Sequence, residues 1–321
     1  MVITEIGESI DKAVTLLNAN EVVAIPTETV YGLAANALSN EAVIKIFEAK
    51  NRPFFNPLIL HVSSVDEIYK YAEIDGLSLQ LANHFMPGPF TILLPKKSIV
   101  PELVTAGSER VAIRIPNHAI AKELLSKLKF PLAAPSANAF GYVSPVNAEH
   151  VKQGLEGKIS YILDGGNCTV GLESTIVEVV NDEIVLHRVG GMSIEEIENV
   201  AGKKIVVKKQ ETVPETSGQL KSHYATTTPL YQGNIAELIK LHSNKKVAIL
   251  TFSKSYSELA RKDQFQLSIS GQMNEAAQNL FSTMRKMDRM NYDIILAEIF
   301  PSEGLGRAIN DRLQRAQETM K

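Results

Sequence analysis

The chain has 321 residues, a net charge of −3, 45% hydrophobic and 21% charged residues. That length suits two cores, the composition is that of an ordinary globular protein, and no global positive field draws the chain to nucleic acid. The lone Cys168 excludes an internal disulfide framework and a cysteine-based metal cluster and fits a reducing cytoplasm. The first residues lack the apolar core of a secretory signal, and no run approaches the ~18–20 apolar residues of a membrane span, so a soluble cytoplasmic protein is expected.

In chain order, the apolar spacing of Ile6, Ile10, Ala13, Val14 and Leu17 predicts a helix over Ile6–Asn18, and Glu21–Ile25 reads as a strand. The strand runs into Pro26-Thr27-Glu28-Thr29-Val30-Tyr31-Gly32-Leu33. There two threonines and a tyrosine either offer hydroxyls to one cavity or serve ordinary turn chemistry. Ala42–Ala49 has helical patterning that Pro53 should end, leaving Lys50 and Arg52 at the helix exit. The two cations either flank a surface turn or hold an anion beside the buried strand Leu58–Val62, near whose end His61 stands. Asp66–Tyr71 and Leu77–Phe85 read as helices, Phe90–Pro95 and Val111–Pro116 as strands. Arg110 precedes the second strand and Arg114 lies within it. A guanidinium in an apolar strand needs a carboxylate partner or a ligand anion, and the ligand is favoured.

The segment Pro131–Gly141 sets Ser136 and Asn138 among small residues that let a ligand approach the backbone. Ser144-Pro145 is read as a helix start capped by Ser144. Strands are expected at Tyr161–Leu163, Glu173–Val179 and Ile184–Arg188, with a hairpin turn at Asn181-Asp182. From Lys208 to Pro229 the pattern fails, as in a linker, although a His223-Tyr224 pair there is odd for a passive one. Beyond it, helices at Asn234–Leu241, Glu275–Met287 and Ala308–Ala316 alternate with strands at Lys246–Phe252, Gln264–Ile269 and Asp293–Ile299. No phosphate loop of the G-x-x-x-x-G-K-[ST] type, G-x-G-x-x-G, H-E-x-x-H or G-x-S-x-G occurs, so any nucleotide phosphate must be met by side-chain cations.

Taken together, PTETVYGL, KNRPFFNPLILHV, the strand bearing Arg114, PSANAFGYVSP, GLESTIVEV and HRVGG resemble the YrdC-like family, in particular its two-domain L-threonylcarbamoyladenylate synthases. VAILTF and GLGRAINDRLQRA resemble the smaller domain of that type. The resemblance implies a YrdC-like twisted open α/β sheet domain over 1–208, an interdomain linker over 209–229 and a small Rossmann-like α/β domain over 230–321. It implies a nucleotidyltransferase that joins L-threonine, bicarbonate or CO2 and ATP with release of pyrophosphate, Mg2+ riding on the phosphates. The product would go to a downstream tRNA threonylcarbamoyl transferase complex, with a weak tRNA contact and no membrane.

By the same resemblance the catalytic signature falls on Lys50, Arg52, Ser136 and Asn138. ATP contacts fall on Arg52, Asn56, Arg110, Ser136, Ser144, Arg188, His223 and Tyr224, and the threonine pocket on Thr29, His61, Arg114, Ala134 and Ser174. The linker of such enzymes closes over the site with a His-Tyr pair. Here it departs from the family's SPGM and HYAP at Thr216–Gln219 and Thr226, which bears on how rigidly it covers the site. Attack of a carbamate oxygen on the α-phosphorus builds charge on phosphoryl oxygens, so clustered arginines make chemical sense. His61 is a candidate base for the threonine amine. An RNA-binding module or a related carbamoyl-transfer factor is the alternative. The negative charge weighs against the first, and the lack of zinc-finger or transferase segments against the second.

Overall fold

Short aliphatic runs, buried on both faces, pair into one mixed sheet. The computed structural model describes residues 2–207, 223–257 and 259–317. Among these, eleven strands form the larger sheet: β1 (Glu5–Gly7), β2 (Val23–Ile25), β3 (Gly32–Asn36), β4 (Ile59–His61), β5 (Phe90–Pro95), β6 (Arg110–Arg114), β7 (Leu132–Ala133), β8 (Tyr161–Leu163), β9 (Thr175–Val180), β10 (Glu183–Arg188) and β11 (Ile205–Val207). Their order is β1-β8-β2-β3-β7-β4-β6-β5-β9-β10-β11. A second, all-parallel sheet runs β12-β15-β13-β14, from β12 (Leu230–Gly233), β13 (Val247–Thr251), β14 (Gln264–Gln266) and β15 (Ile294–Glu298). This is the α/β architecture expected, a large open sheet followed by a smaller Rossmann-like one. No described helix is long and apolar enough to cross a membrane.

Register brings the chemistry to one end of the large sheet. His61 and Arg114 are partners across β4 and β6, Gly32 bridges Ser136, and Phe90 pairs with Thr175 just after Ser174. Arg188 closes β10 opposite Ile176. Gly190 is forced: a Cβ there would lie 2.3 Å from the Glu173 carbonyl oxygen.

Several local expectations are corrected. The first helix is Ile10–Asn18, because Glu5–Gly7 is taken by pairing with Tyr161–Leu163. Ser144 caps nothing: its hydroxyl donates to Glu173, and the helix Ala148–Leu155 is capped by Asn147. The helices Ala119–Ser126 and Ile194–Ala201 and the strand Leu230–Gly233 were not foreseen. The hairpin turn at Asn181-Asp182 is there, both residues having positive φ. The departure at Thr216–Gln219 lies outside the described residues.

The two units share a core. Phe281 and Met284 of the helix Met273–Asp288 pack in one cluster with Val143, Val146 and Leu172. At Gly171, φ +75°, the same helix passes so close that a Cβ would sit 2.5 Å from Gln278 Cα. Arg285 of that helix donates to the carbonyls of Val143, Ser144 and His150.

Candidate active site

The helix Asn40–Lys50 starts on a Ser39 cap and ends on Asn51 in the left-handed conformation, φ 52°. Asn51 N–H returns to Glu48 O and Arg52 N–H to Phe47 O, a Schellman closure. That turn sends the two cations different ways. Arg52 lines a small buried cavity, its guanidinium held by the carbonyls of Asn56 and Pro57 at 3.3 and 3.0 Å. Lys50 turns instead behind the Ser136–Asn138 segment, donating to Ser136 O and to Asn138 O at 2.6 Å. Burial, then the charges of Arg52 and Lys158, push the Lys50 ammonium well below its ordinary value.

Thr27, Thr29, His61, Arg114, Ala134, Ser136, Glu173, Ser174, Arg188, His223 and Tyr224 line the cavity with Arg52. At one end Arg114 donates to Thr29 Oγ1 at 2.9 Å and to Glu28 Oε1 at 2.6 Å. The alternatives for Arg114 therefore meet in one residue, which has a carboxylate partner and also faces the cavity. Ser174 Oγ lies 2.6 Å from Thr91 Oγ1 and accepts from Arg188 at 3.1 Å. Tyr31 points away from the cavity, its hydroxyl on Asp164 and Gly166, so two of the three hydroxyls in that turn serve it.

His61 and His223 are neutral at pH 7: burial, joined by Arg114 for the first, lowers both to about 3. His61 is thereby a hydrogen-bonding ring and too weak a base for an amine of pKa about 8. Burial also lowers the Arg52 and Arg188 guanidiniums, which stay charged at neutral pH.

Of the residues the resemblance singled out, Asn56, Arg110, Asn138 and Ser144 stand outside the cavity wall with Lys50. Arg110 is paired with Glu178 at 2.9 Å. Asn138 donates to Tyr142 O at 2.7 Å. The Asn56 amide is fully buried, and neither its oxygen nor its nitrogen has a hydrogen-bond partner among the described residues. Glu173 and Gly32 line the wall without having been foreseen, whereas Thr27 and Thr29 are the two threonines whose hydroxyls the turn was read as offering to a cavity. Glu173 was legible only as an acid beside Ser174, since its partner is 139 residues away in Arg312.

The cavity volume, about 40 Å3, holds a few waters. His223 and Tyr224 form part of its wall.

Comparison with known proteins places the whole chain. Residues 15–190 match the family model for Sua5, YciO and YrdC, described as "Telomere recombination". Residues 192–317 match the model described as "Threonylcarbamoyl-AMP synthase, C-terminal domain". The threonylcarbamoyl-AMP synthase of Pyrococcus abyssi is 40% identical over 320 residues, covering 95% of this chain and 92% of its own length. That of Bacillus subtilis is 40% identical over 322 residues, covering 96% and 92%. The crystal structure of P. abyssi Sua5 complexed with L-threonine superposes with a TM-score of 0.89 at 38% identity, covering 99% of this chain and 97% of that one. By two family models and by relatives matched over nearly its full length, this chain belongs to the Sua5/YciO/YrdC family, among its two-unit threonylcarbamoyl-AMP synthases.

Proposed function

We propose that the protein makes L-threonylcarbamoyladenylate from L-threonine, bicarbonate or CO2 and ATP, releasing pyrophosphate, as the first step of threonylcarbamoyladenosine formation next to the tRNA anticodon. The observation that carries this reading is the composition of one cavity wall: Arg114 and Thr29 with Ser174, and Arg52 and Arg188 with Ser136. Such a wall suits two anionic groups at once. Arg114 takes the threonine carboxylate while Thr29, His61, Ala134 and Ser174 shape its side-chain pocket. Arg52 and Arg188 take the phosphates, and their forks fix orientation as well as charge. Lys50 acts through the loop it holds, setting the backbone of Ser136 and Asn138. Arg110 and Ser144 join Asn56, His223 and Tyr224 around the nucleotide.

Catalysis then consists of positioning and charge stabilisation. The carbamate oxygen attacks the α-phosphorus, the bond to the bridging oxygen breaks, and pyrophosphate leaves with the electron pair. Glu173, a carboxylate in the wall, is engaged by Arg312 and Ser144, so a magnesium ion would be carried by the nucleotide's phosphates and would help neutralise their charge. The reading divides the chain into a catalytic unit over 1–208, a strap over 209–229 and a smaller unit over 230–321. The enzyme works in the cytoplasm and passes the adenylate to a tRNA threonylcarbamoyl transferase complex, with a weak tRNA contact of its own.

The test is pyrophosphate release from ATP with threonine and bicarbonate, each alone and both together, for the wild type, Lys50→Ala and Arg52→Ala. Release needing both cosubstrates, and reduced at least a hundredfold in either variant, is expected, since the cost exceeds that of one charged hydrogen bond. No release with all three present, or equal release with serine, would overturn the assignment.

A further inference from the structure

Among the described residues two arginines of the C-terminal unit are wholly buried, Arg285 and Arg312. Arg285 uses its donors on backbone carbonyls and lies 4.8 Å over the Tyr142 ring, which makes it a joint between the units. Arg312 touches the cavity wall itself. Its Nε donates to Glu173 Oε2 at 3.0 Å, its Nη1 to Asp311 Oδ2 at 2.6 Å and its Nη2 to Val189 O at 3.0 Å. Its guanidinium faces the Tyr224 ring at 5.1 Å. One side chain thus meets the segment before β9, the residue after Arg188 and Tyr224.

Two features give that contact a consequence. Glu173 is a buried carboxylate in the cavity where a triphosphate must enter. Burial alone would raise its pKa, yet Arg312 first and Arg188 second hold it below the ordinary value, so it stays ionised and its charge must be balanced. Tyr224 has φ 64°, a left-handed backbone that a tyrosine adopts only when its surroundings hold it. The C-terminal unit holds its ring and one flank, with Arg312 on the ring, the Phe281 ring stacked at 5.5 Å, and Arg315 O accepting the N–H of neighbouring His223 at 3.2 Å, while on the other flank Ala225 N–H donates to Gly141 O of the larger unit at 2.8 Å. The strap leaves over the same unit, with Thr228 N–H on Asp288 at 2.7 Å.

We propose that Arg312 is a positioning residue for the nucleotide half of the cavity, fixing Glu173 against Ser144 and bracing Tyr224. The smaller unit is thereby a working part of the ATP site. This rests on the proposed synthase reading and deepens it. With Arg312 in place, Glu173 is neutralised and does not repel entering phosphates, and Tyr224 is held in one geometry. Without it, a carboxylate balanced by Arg188 alone, an arginine the phosphates also need, faces the triphosphate, and Tyr224 loses one of its supports.

The experiment compares wild type, Arg312→Met and Arg312→Lys. Thermal unfolding checks the fold, pyrophosphate release gives the KM for ATP and kcat, and calorimetry without ATP gives the threonine Kd. For Arg312→Met the ATP KM should rise roughly ten- to hundredfold, the range for losing a hydrogen bond to a charged group, while the threonine Kd stays within about twofold. Arg312→Lys keeps the charge beside Glu173 without the flat fork and should recover part of the loss. An unchanged ATP KM in a folded variant overturns the proposal. So does a parallel fall in ATP and threonine affinity, which marks a merely structural role. If Arg312→Met does not fold, Arg312→Lys decides by the same split. A wild type that releases no pyrophosphate sinks the synthase reading itself, a separate outcome.

Discussion

The Arg114 guanidinium meets the Glu28 carboxylate at 2.6 Å with both side chains about 5% exposed, and Glu28 Oε2 has no hydrogen-bond partner among the described residues. Arg114 Nε is likewise without a hydrogen-bond partner among the described residues, so the guanidinium keeps a free donor, as the proposed threonine carboxylate needs.

Glu28→Gln should therefore destabilise the ligand-free protein by about 3–5 kcal/mol, the range for stranding one member of a buried ion pair. Added threonine supplies the missing anion and should restore more stability to the variant than to the wild type. Urea unfolding with and without threonine measures both. A variant as stable as the wild type would mean that the pair does not hold Arg114.

Asn56 offers a separation of stability from activity. Its buried amide is unpaired, so an apolar residue of similar size removes a desolvation penalty of about 1–3 kcal/mol. Asn56→Leu should raise the melting temperature while weakening ATP binding, and Asn56→Asp should weaken ATP binding further by placing an anion near the phosphates. If Asn56→Leu keeps wild-type ATP affinity, the amide does not meet the nucleotide.

His61 and His223 give an acid limit. Their folded values near 3 lie below the ordinary 6.5, so the unfolded chain binds more protons between those pH values. Their contribution is complete above pH 6.5 and is lost as pH falls through that window, by up to about 1.4 kcal/mol per pH unit for each histidine. Unfolding free energies of His61→Gln and His223→Gln at pH 7.5 and 5.5 should show a shallower decline than the wild type. A decline as steep in both variants would show that neither histidine is held neutral by the fold.

The sequence was most readable where structure is local. Phe90–Pro95 and Tyr161–Leu163 are strands at the bounds their aliphatic runs suggest, and the helix does stop before Arg52, closed by Asn51 two residues ahead of the Pro53 expected to end it. Signals of the right kind misled where a distant partner competed. Ser144-Pro145 has the look of a helix cap, but the hydroxyl is claimed by Glu173, and Ile6 fits a helical spacing although its backbone pairs with Ile162. The site divided likewise. Arg52, Arg114 and Arg188 were visible as cations at strand or helix ends. Glu28 facing Arg114 and Arg312 facing Glu173 were not, because ion pairs spanning 86 and 139 residues leave no trace in spacing. The same non-locality explains why a His-Tyr pair in an unpatterned stretch proves to be part of a cavity wall.

Gly171 offers a mechanical handle on this arrangement. A single methyl group there cannot coexist with Gln278 where it stands, so Gly171→Ala would act as a wedge, tilting the helix Met273–Asp288 and everything mounted with it. Every cavity side chain would keep its identity while the alignment of Tyr224 and Arg312 with the larger sheet changed. The spacing between two folded bodies thereby becomes an adjustable quantity, set by one position remote from the reacting atoms.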